Sequence, residues 1–201
     1  MARAMLNDRS SPLSLLATRR SGRPRDMVAP GPDDAALAAM IDLALRTPDH
    51  GKLAPWRFVI VGAQARGRLA TLITTAYQAE RPAAARLELE ALEKFAHQAP
   101  ALVVVLSSPR LQSHIPVWEQ ELSAGAACMN LLHAAHATGY VAGWLTGWAA
   151  HSDAVREAFG AAHERIAGFI FIGSPGQTLE ERDRPERDKV VSHWPMPAWD
   201  A

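Results

Sequence analysis

The chain has one cysteine, Cys128, among 201 residues, so it can form no internal disulfide and offers no cysteine pair for zinc. Cys128 sits in the apolar run Ala126-Ala127-Cys128-Met129, which fits a small buried hydrophobe in a reducing compartment. Neither charge is in excess. The 21 lysines and arginines are matched by 21 aspartates and glutamates, with an isoelectric point near 7.1. Without a net field to draw in a polyanion, no nucleic-acid partner is expected. Long hydrophobic runs are missing as well: the most apolar stretch, Ala99 to Leu106, falls far short of the ~18 residues a membrane-spanning helix needs. Residues 1–10 lack the apolar core of a secretory signal, so the expected location is the cytoplasm and the expected state of this segment is a flexible start. There is no Gly-x-Gly-x-x-Gly, no Gly-x-x-x-x-Gly-Lys and no Gly-x-Ser-x-Gly, which removes the commonest dinucleotide, phosphate-loop and hydrolase signatures.

What remains is 48% hydrophobic and 21% charged, the composition of a folded domain, and residues 11–201 read as one such domain. Ser11-Pro12 opens a short helix that runs to Arg19-Arg20 and stops at Ser21-Gly22. Asp33 or Asp34 caps a second helix carrying Leu37, Met40, Ile41, Ala44 and Leu45 at helical period, and Thr47-Pro48 ends it. Trp56 to Gly62 reads as a buried strand, followed by helices over 63–79 and 83–97 and a strand from Leu102 to Leu106. Val117 to Thr138 is the longest helical segment. It is almost uncharged after Glu121, and its small residues Ala124 to Ala127 let neighbouring backbones approach, as suits a domain centre or a subunit interface. Strands over Tyr140 to Leu145 and Ile166 to Ile172 bracket a helix near Asp153 to Phe159. The alternation predicts an α+β or α/β sandwich around one sheet. Val190, Val191 and Trp194 follow the charged stretch from Gln177 to Arg187, so the tail is expected to dock, with another subunit as one candidate.

Metal-binding and carboxylate-pair motifs are poor. His133 and His136 share a helix face but have no carboxylate at matching spacing, and Glu119 and Glu121 point to different sides of their helix. Cations are better placed. Arg19-Arg20-Ser21-Gly22-Arg23 offers guanidinium forks and a hydroxyl that match phosphate oxygens, and Arg46 to Lys52 puts further cations and His50 in a loop before a strand.

Those segments, with Pro55-Trp56-Arg57-Phe58, Trp118 to Gly125, Gly143-Trp144-Leu145-Thr146-Gly147 and Gly168 to Pro175, resemble in order the FMN-dependent nitroreductase family, in particular its short bacterial NAD(P)H nitroreductase branch. The resemblance implies an α+β nitroreductase-like fold, with a central mixed sheet flanked by helices, and a homodimer with domain-swapped tails. It assigns FMN to Arg19, Arg20, Ser21, Arg46, His50, Trp144, Leu145 and Thr146, and the NAD(P) donor to Ala134, Ala135, His136, Ala137, Thr138 and Gly139. It implies a ping-pong oxidoreductase passing hydride from NAD(P)H through FMN to a nitroaromatic, quinone or similar small acceptor. No catalytic acid, base or nucleophile and no metal is implied, because the flavin carries the chemistry.

Two positions depart from the family pattern: Leu145 stands where an arginine is usual, and Ala54 where glutamine or arginine commonly precedes Pro-Trp. A lost charge-assisted bond of ~1.5–3 kcal/mol to the phosphate would loosen flavin retention. The departures leave two further readings, a flavin-binding or storage protein and a dimeric module without turnover.

Overall fold

The two cores of this protein follow from alternation along its inner strands. The structure, a computed structural model, describes residues 5–194. In chain order it builds α1 (Pro12–Thr18), β1 (Met27–Val28), α2 (Asp34–Ala44), β2 (Trp56–Ile60), α3 (Arg66–Glu80), α4 (Arg86–Ala96) and β3 (Ala101–Ser107). Then come α5 (Val117–Ala137), β4 (Val141–Leu145), α6 (Asp153–Phe159), β5 (Arg165–Pro175) and α7 (Arg187–Val190). Leu102, Val104, Leu106, Phe169 and Phe171 project to one side of the sheet, where they pack with Leu69 and Ile73 of α3 and with Val155 of α6. Phe95 of α4 stands edge-on to Phe169 and Phe171 at 5.2 and 5.3 Å. Ala101, Val103, Val105, Ile170 and Ile172 project to the other side, against Leu37 and Met40 of α2 and Cys128 and Leu131 of α5. Helices on both faces explain why every residue of β3 is buried.

β5 pairs with β3 along one edge; along the other, Phe169 to Gly173 pair with β4, and Ser174 and Pro175 pair with β1. β2 pairs with β3 and closes that side of the sheet. All four pairings among the described residues are antiparallel, so the mixed sheet expected from the resemblance is not formed within this chain. β2 is the end strand and is half-buried, not the buried strand its apolar run predicts.

Side chains fix several element ends. Ser11 caps α1 by accepting the Ser14 N–H at 3.0 Å, and Asp33 caps α2 by accepting the Ala36 N–H at 2.8 Å. α1 ends at Thr18, so Arg19 and Arg20 lie in the extended chain beyond it and not in its last turn. Residues 1–4 and 195–201 lie outside the described residues, and with them part of the expected flexible start and of the tail. The rest of that start is held in place. Asn7 Nδ2 donates to the Arg20 carbonyl at 3.1 Å, its Oδ1 accepts the Arg20 N–H at 2.7 Å, and the Asp8 N–H donates to Thr18 Oγ1 at 2.9 Å. Arg66 is buried and donates to the carbonyls of Val61 and Ala96 at 2.9 and 2.8 Å, tying the start of α3 to the end of α4. No helix among the described residues is long and apolar enough to cross a membrane.

Candidate functional site

Backbone contact between distant segments brings the first cluster together. The Gly22 N–H donates to the Ala142 carbonyl at 3.2 Å, which lays the stretch after α1 along β4. Gly143 permits this: a Cβ there would stand 2.8 Å from the Gly22 carbonyl oxygen and 3.1 Å from Pro24. One residue on, Trp144 turns its indole across the sheet. A register shift at Val105/Leu106 leaves Ala167 without a β3 partner, and its carbonyl accepts Trp144 Nε1–H at 2.9 Å. The ring lies where any side chain at Gly168 would collide with it, at 2.1 Å.

The result is an open cavity of about 750 Å³ whose wall includes Arg19, Arg20 and Ser21 together with Trp144, Leu145 and Thr146. Arg23, Arg25 and Arg182 complete a wall of five arginines with no carboxylate in it. Arg19 donates to Ser21 Oγ at 3.1 Å, and Arg20 Nε donates to the Glu180 carbonyl at 2.6 Å, which brings the tail over the cluster. Burial lowers the affinity of the Arg19 guanidinium for its proton, and repulsion from Arg184, Arg20 and Arg182 adds to that effect, only partly offset by Glu181. A group of like charges that disfavours itself is relieved by an anion, so the donor set fits a phosphate. Trp144, about a third exposed, supplies an aromatic surface at the same cavity.

His50 belongs to a second place. The loop before β2 is fastened to α5: Ser123 Oγ donates to the Pro48 carbonyl at 2.7 Å and accepts Trp56 Nε1–H at 3.1 Å. Asn130 Nδ2 donates to Thr47 Oγ1 at 2.7 Å. His50 Nδ1 meets Glu119 Oε1 at 2.6 Å, at the wall of a cavity of about 300 Å³ that also includes Asp49, Ile115, Leu122 and Ser123. Arg46 is exposed and lines neither cavity. The structure thus divides the residues assigned to FMN: six of them meet in the large cavity, and His50 and Arg46 stand apart in the same chain.

The stretch assigned to NAD(P) does not join either cavity. Ala134, Ala135 and His136 are buried, and Thr138 Oγ1 is taken up by the Ala134 and Ala135 carbonyls at 2.8 and 3.0 Å. Ala134, Ala135 and His136 thus belong to the core at the end of α5, whereas Ala137, Thr138 and Gly139 are exposed. Burial also pushes the Cys128 thiol up to about 12, the behaviour of a packed hydrophobe.

Two contributors escaped the sequence reading. Glu119, set aside as half of a poor carboxylate pair, is the partner of His50 from 69 positions away. Arg182 reaches the cavity that contains Leu145, and the Arg182-Asp183-Arg184 spacing in the tail was its only trace in the sequence.

A helix-flanked antiparallel sheet with this cationic cavity is a nitroreductase-like fold. A protein from Bacillus cereus described as of the nitroreductase-like family superposes with a TM-score of 0.77 at 19% identity, over 92% of this chain and 96% of its own. The FMN- and NADPH-dependent nitroreductase NfnB, in a variant from sphigopyxis sp. strain HMH, gives a TM-score of 0.67 at 17% identity over 89% and 96%. In sequence, the "Putative NAD(P)H nitroreductase" of Haemophilus influenzae is 35% identical over 174 residues, 85% of this chain and 91% of that protein. Residues 16–174 match the model of the Nitroreductase family, and the chain belongs to that family.

Proposed function

We propose that the protein is an FMN-dependent NAD(P)H oxidoreductase of nitroreductase type, acting on nitroaromatic, quinone or similar small electron acceptors. The observation that carries this reading is the cavity in which five arginines, Ser21 and Thr146 face Trp144 with no carboxylate in the wall. Arg19 and Arg20 hold the phosphate of FMN, and Ser21 and Thr146 offer hydroxyls to its polar chain. Arg182 supplies a positive charge in the cavity where Leu145 cannot. When bound, FMN supplies hydride and electron transfer between the nicotinamide donor and the acceptor in two half-reactions. The chain's own part is to anchor and orient the group and to place positive charge beside it.

The separation of His50 and Arg46 from the cavity is explained if each site is built by two copies of the chain. One copy contributes Arg19 to Ser21 and Trp144 to Thr146, and the other contributes the His50 loop. Val117, Trp118 and Leu122 form an exposed apolar ridge on α5, next to the His50–Glu119 pair, and this ridge is the proposed homodimer contact. Val190, Val191 and Trp194 are exposed on the tail, and β2 has no strand on its outer edge among the described residues. A partner's tail laid parallel to β2 would cover both and give the mixed sheet the family resemblance implies.

The test is anaerobic visible spectroscopy of the FMN-loaded protein on addition of NADPH or NADH. Bleaching of the flavin bands and their return with a nitroaromatic or quinone is the expected result. A flavin that stays oxidised with either donor would make the protein a flavin-binding or storage protein, and failure to take up FMN would leave only a dimeric module.

A further inference from the structure

We infer that the protein has a second ligand site, separate from the flavin cavity, that takes a small apolar molecule carrying a carboxylate. The site is a chamber of about 440 Å³ between the segment before α1, the C-terminal end of α5 and the chain that follows β5. Its wall is mostly apolar, with Leu6, Tyr140, Val141 and Leu179 among the lining residues. A chamber of this volume and character suits a one-ring ligand. None of the residues assigned to FMN lines it, and of the stretch assigned to NAD(P) only His136 and Gly139 border it.

One charged group in this wall lacks a partner. Arg9 makes no hydrogen bond or ion pair among the described residues, and its guanidinium lies over Gly139, with Nη1 2.6 Å from where a Cβ would stand. The C-terminal turn of α5 beneath it holds the cation by its dipole without neutralising it. His136 lies fully buried beneath this wall and offers the chamber no accessible atom. Its Nε2 accepts the Ala142 N–H at 3.3 Å, so the neutral ring carries its proton on Nδ1, and that N–H has no partner. Burial, with repulsion from Arg19 and His133, lowers this histidine to about 4, which keeps it a neutral donor at neutral pH. An exposed, unpaired guanidinium fork beside an apolar wall matches a planar carboxylate. A phosphate finds far more charge among the five arginines of the flavin cavity.

The chamber also touches the flavin site. Asn7 is part of its wall and holds both backbone groups of Arg20 by the reciprocal hydrogen bonds of 2.7 and 3.1 Å. A ligand that orders the segment from Leu6 to Arg9 therefore steadies the phosphate-binding stretch.

The experiment titrates benzoate into the FMN-loaded, isotope-labelled protein and follows the backbone amides of residues 6–9 and 136–141 by NMR, with benzamide as the uncharged control. Saturable shifts in those amides with benzoate, and at least several-fold weaker binding of benzamide, are expected. Arg9→Met should weaken benzoate about tenfold, the loss of one charge-assisted hydrogen bond. Leu6→Trp, which fills the chamber, should abolish the shifts, while Arg19→Ala should leave them unchanged. Shifts that are absent, that survive both chamber variants, or that disappear with Arg19→Ala would overturn the inference, the last by moving benzoate to the flavin cavity. The site rests on the chamber's geometry and not on the flavin reading, so the titration repeated without FMN separates failure of one from failure of the other.

Discussion

At the scale of single residues, the charges of this protein include a pair that is satisfied internally and a cluster that the proposed function gives to a ligand. Arg57 and Glu164 are the satisfied kind. Arg57 donates to both carboxylate oxygens of Glu164 at 2.7 and 2.9 Å, and the Ala161 N–H adds a third bond at 2.7 Å. The hydrogen bonds from Arg57 come first among the causes that hold the nearly buried Glu164 at about 2, below its ordinary 4.5. Because the folded state holds this proton less tightly than the unfolded chain, the pair stabilises the fold above about pH 4.5 and loses that contribution as pH falls toward 2. The full shift corresponds to at most about 3 kcal/mol, reduced by the half-exposed Arg57. Urea denaturation of Glu164→Gln should therefore give a midpoint well below the parent at neutral pH and a smaller loss on acidification. Parallel acid limbs for the two proteins would contradict this. Arg19 and Arg182 are of the other kind, grouped in one wall with no acid lining it.

At the scale of elements, most of the fold was legible because period and caps agree. Asp153–Phe159 and the long α5 stand where apolar spacing and punctuation predict them, and Asp33 is the cap. What was missed depended on neighbours. β1 is two residues between prolines, too short for any pattern, and exists because Met27 and Val28 meet the end of β5. β2 carries the apolar run of a central strand but ends the sheet of a single chain. The site was half legible for the same reason. Arg19 to Ser21, Trp144 and Thr146 carry family residues, whereas the pairing of Glu119 with His50 and the place of Arg182 come from contacts across 69 positions and from the fold of the tail. Arg66 shows what such long contacts contribute to stability: it alone answers the carbonyls of Val61 and Ala96 in a buried place. Arg66→Met should cost about 2–4 kcal/mol by leaving those carbonyls unpaired, read as a lower urea midpoint at unchanged slope. A loss under about 0.5 kcal/mol would mean that the carbonyls find other partners.

At the scale of the whole molecule, the proposed two-copy site takes the exposed apolar ridge on α5 as its contact. Leu122, 62% exposed, belongs to that ridge together with Trp118. On the proposed two-copy construction, Leu122→Glu should convert a dimer to monomer in analytical ultracentrifugation and weaken FMN binding with it, since each site would lose its His50 loop. A monomeric parent, or a dimeric variant, would remove the two-copy construction of the site.

The central claim is that the arginine-walled cavity holds FMN, and titration of flavin-free protein with FMN, followed by the visible absorption bands, tests it most directly. The account expects one FMN per chain for the parent and binding weaker by roughly ten- to a hundred-fold for Arg19→Ala, with its circular dichroism unchanged. A parent that leaves the spectrum of free FMN unaltered, or an Arg19→Ala variant that binds as the parent does, would contradict it.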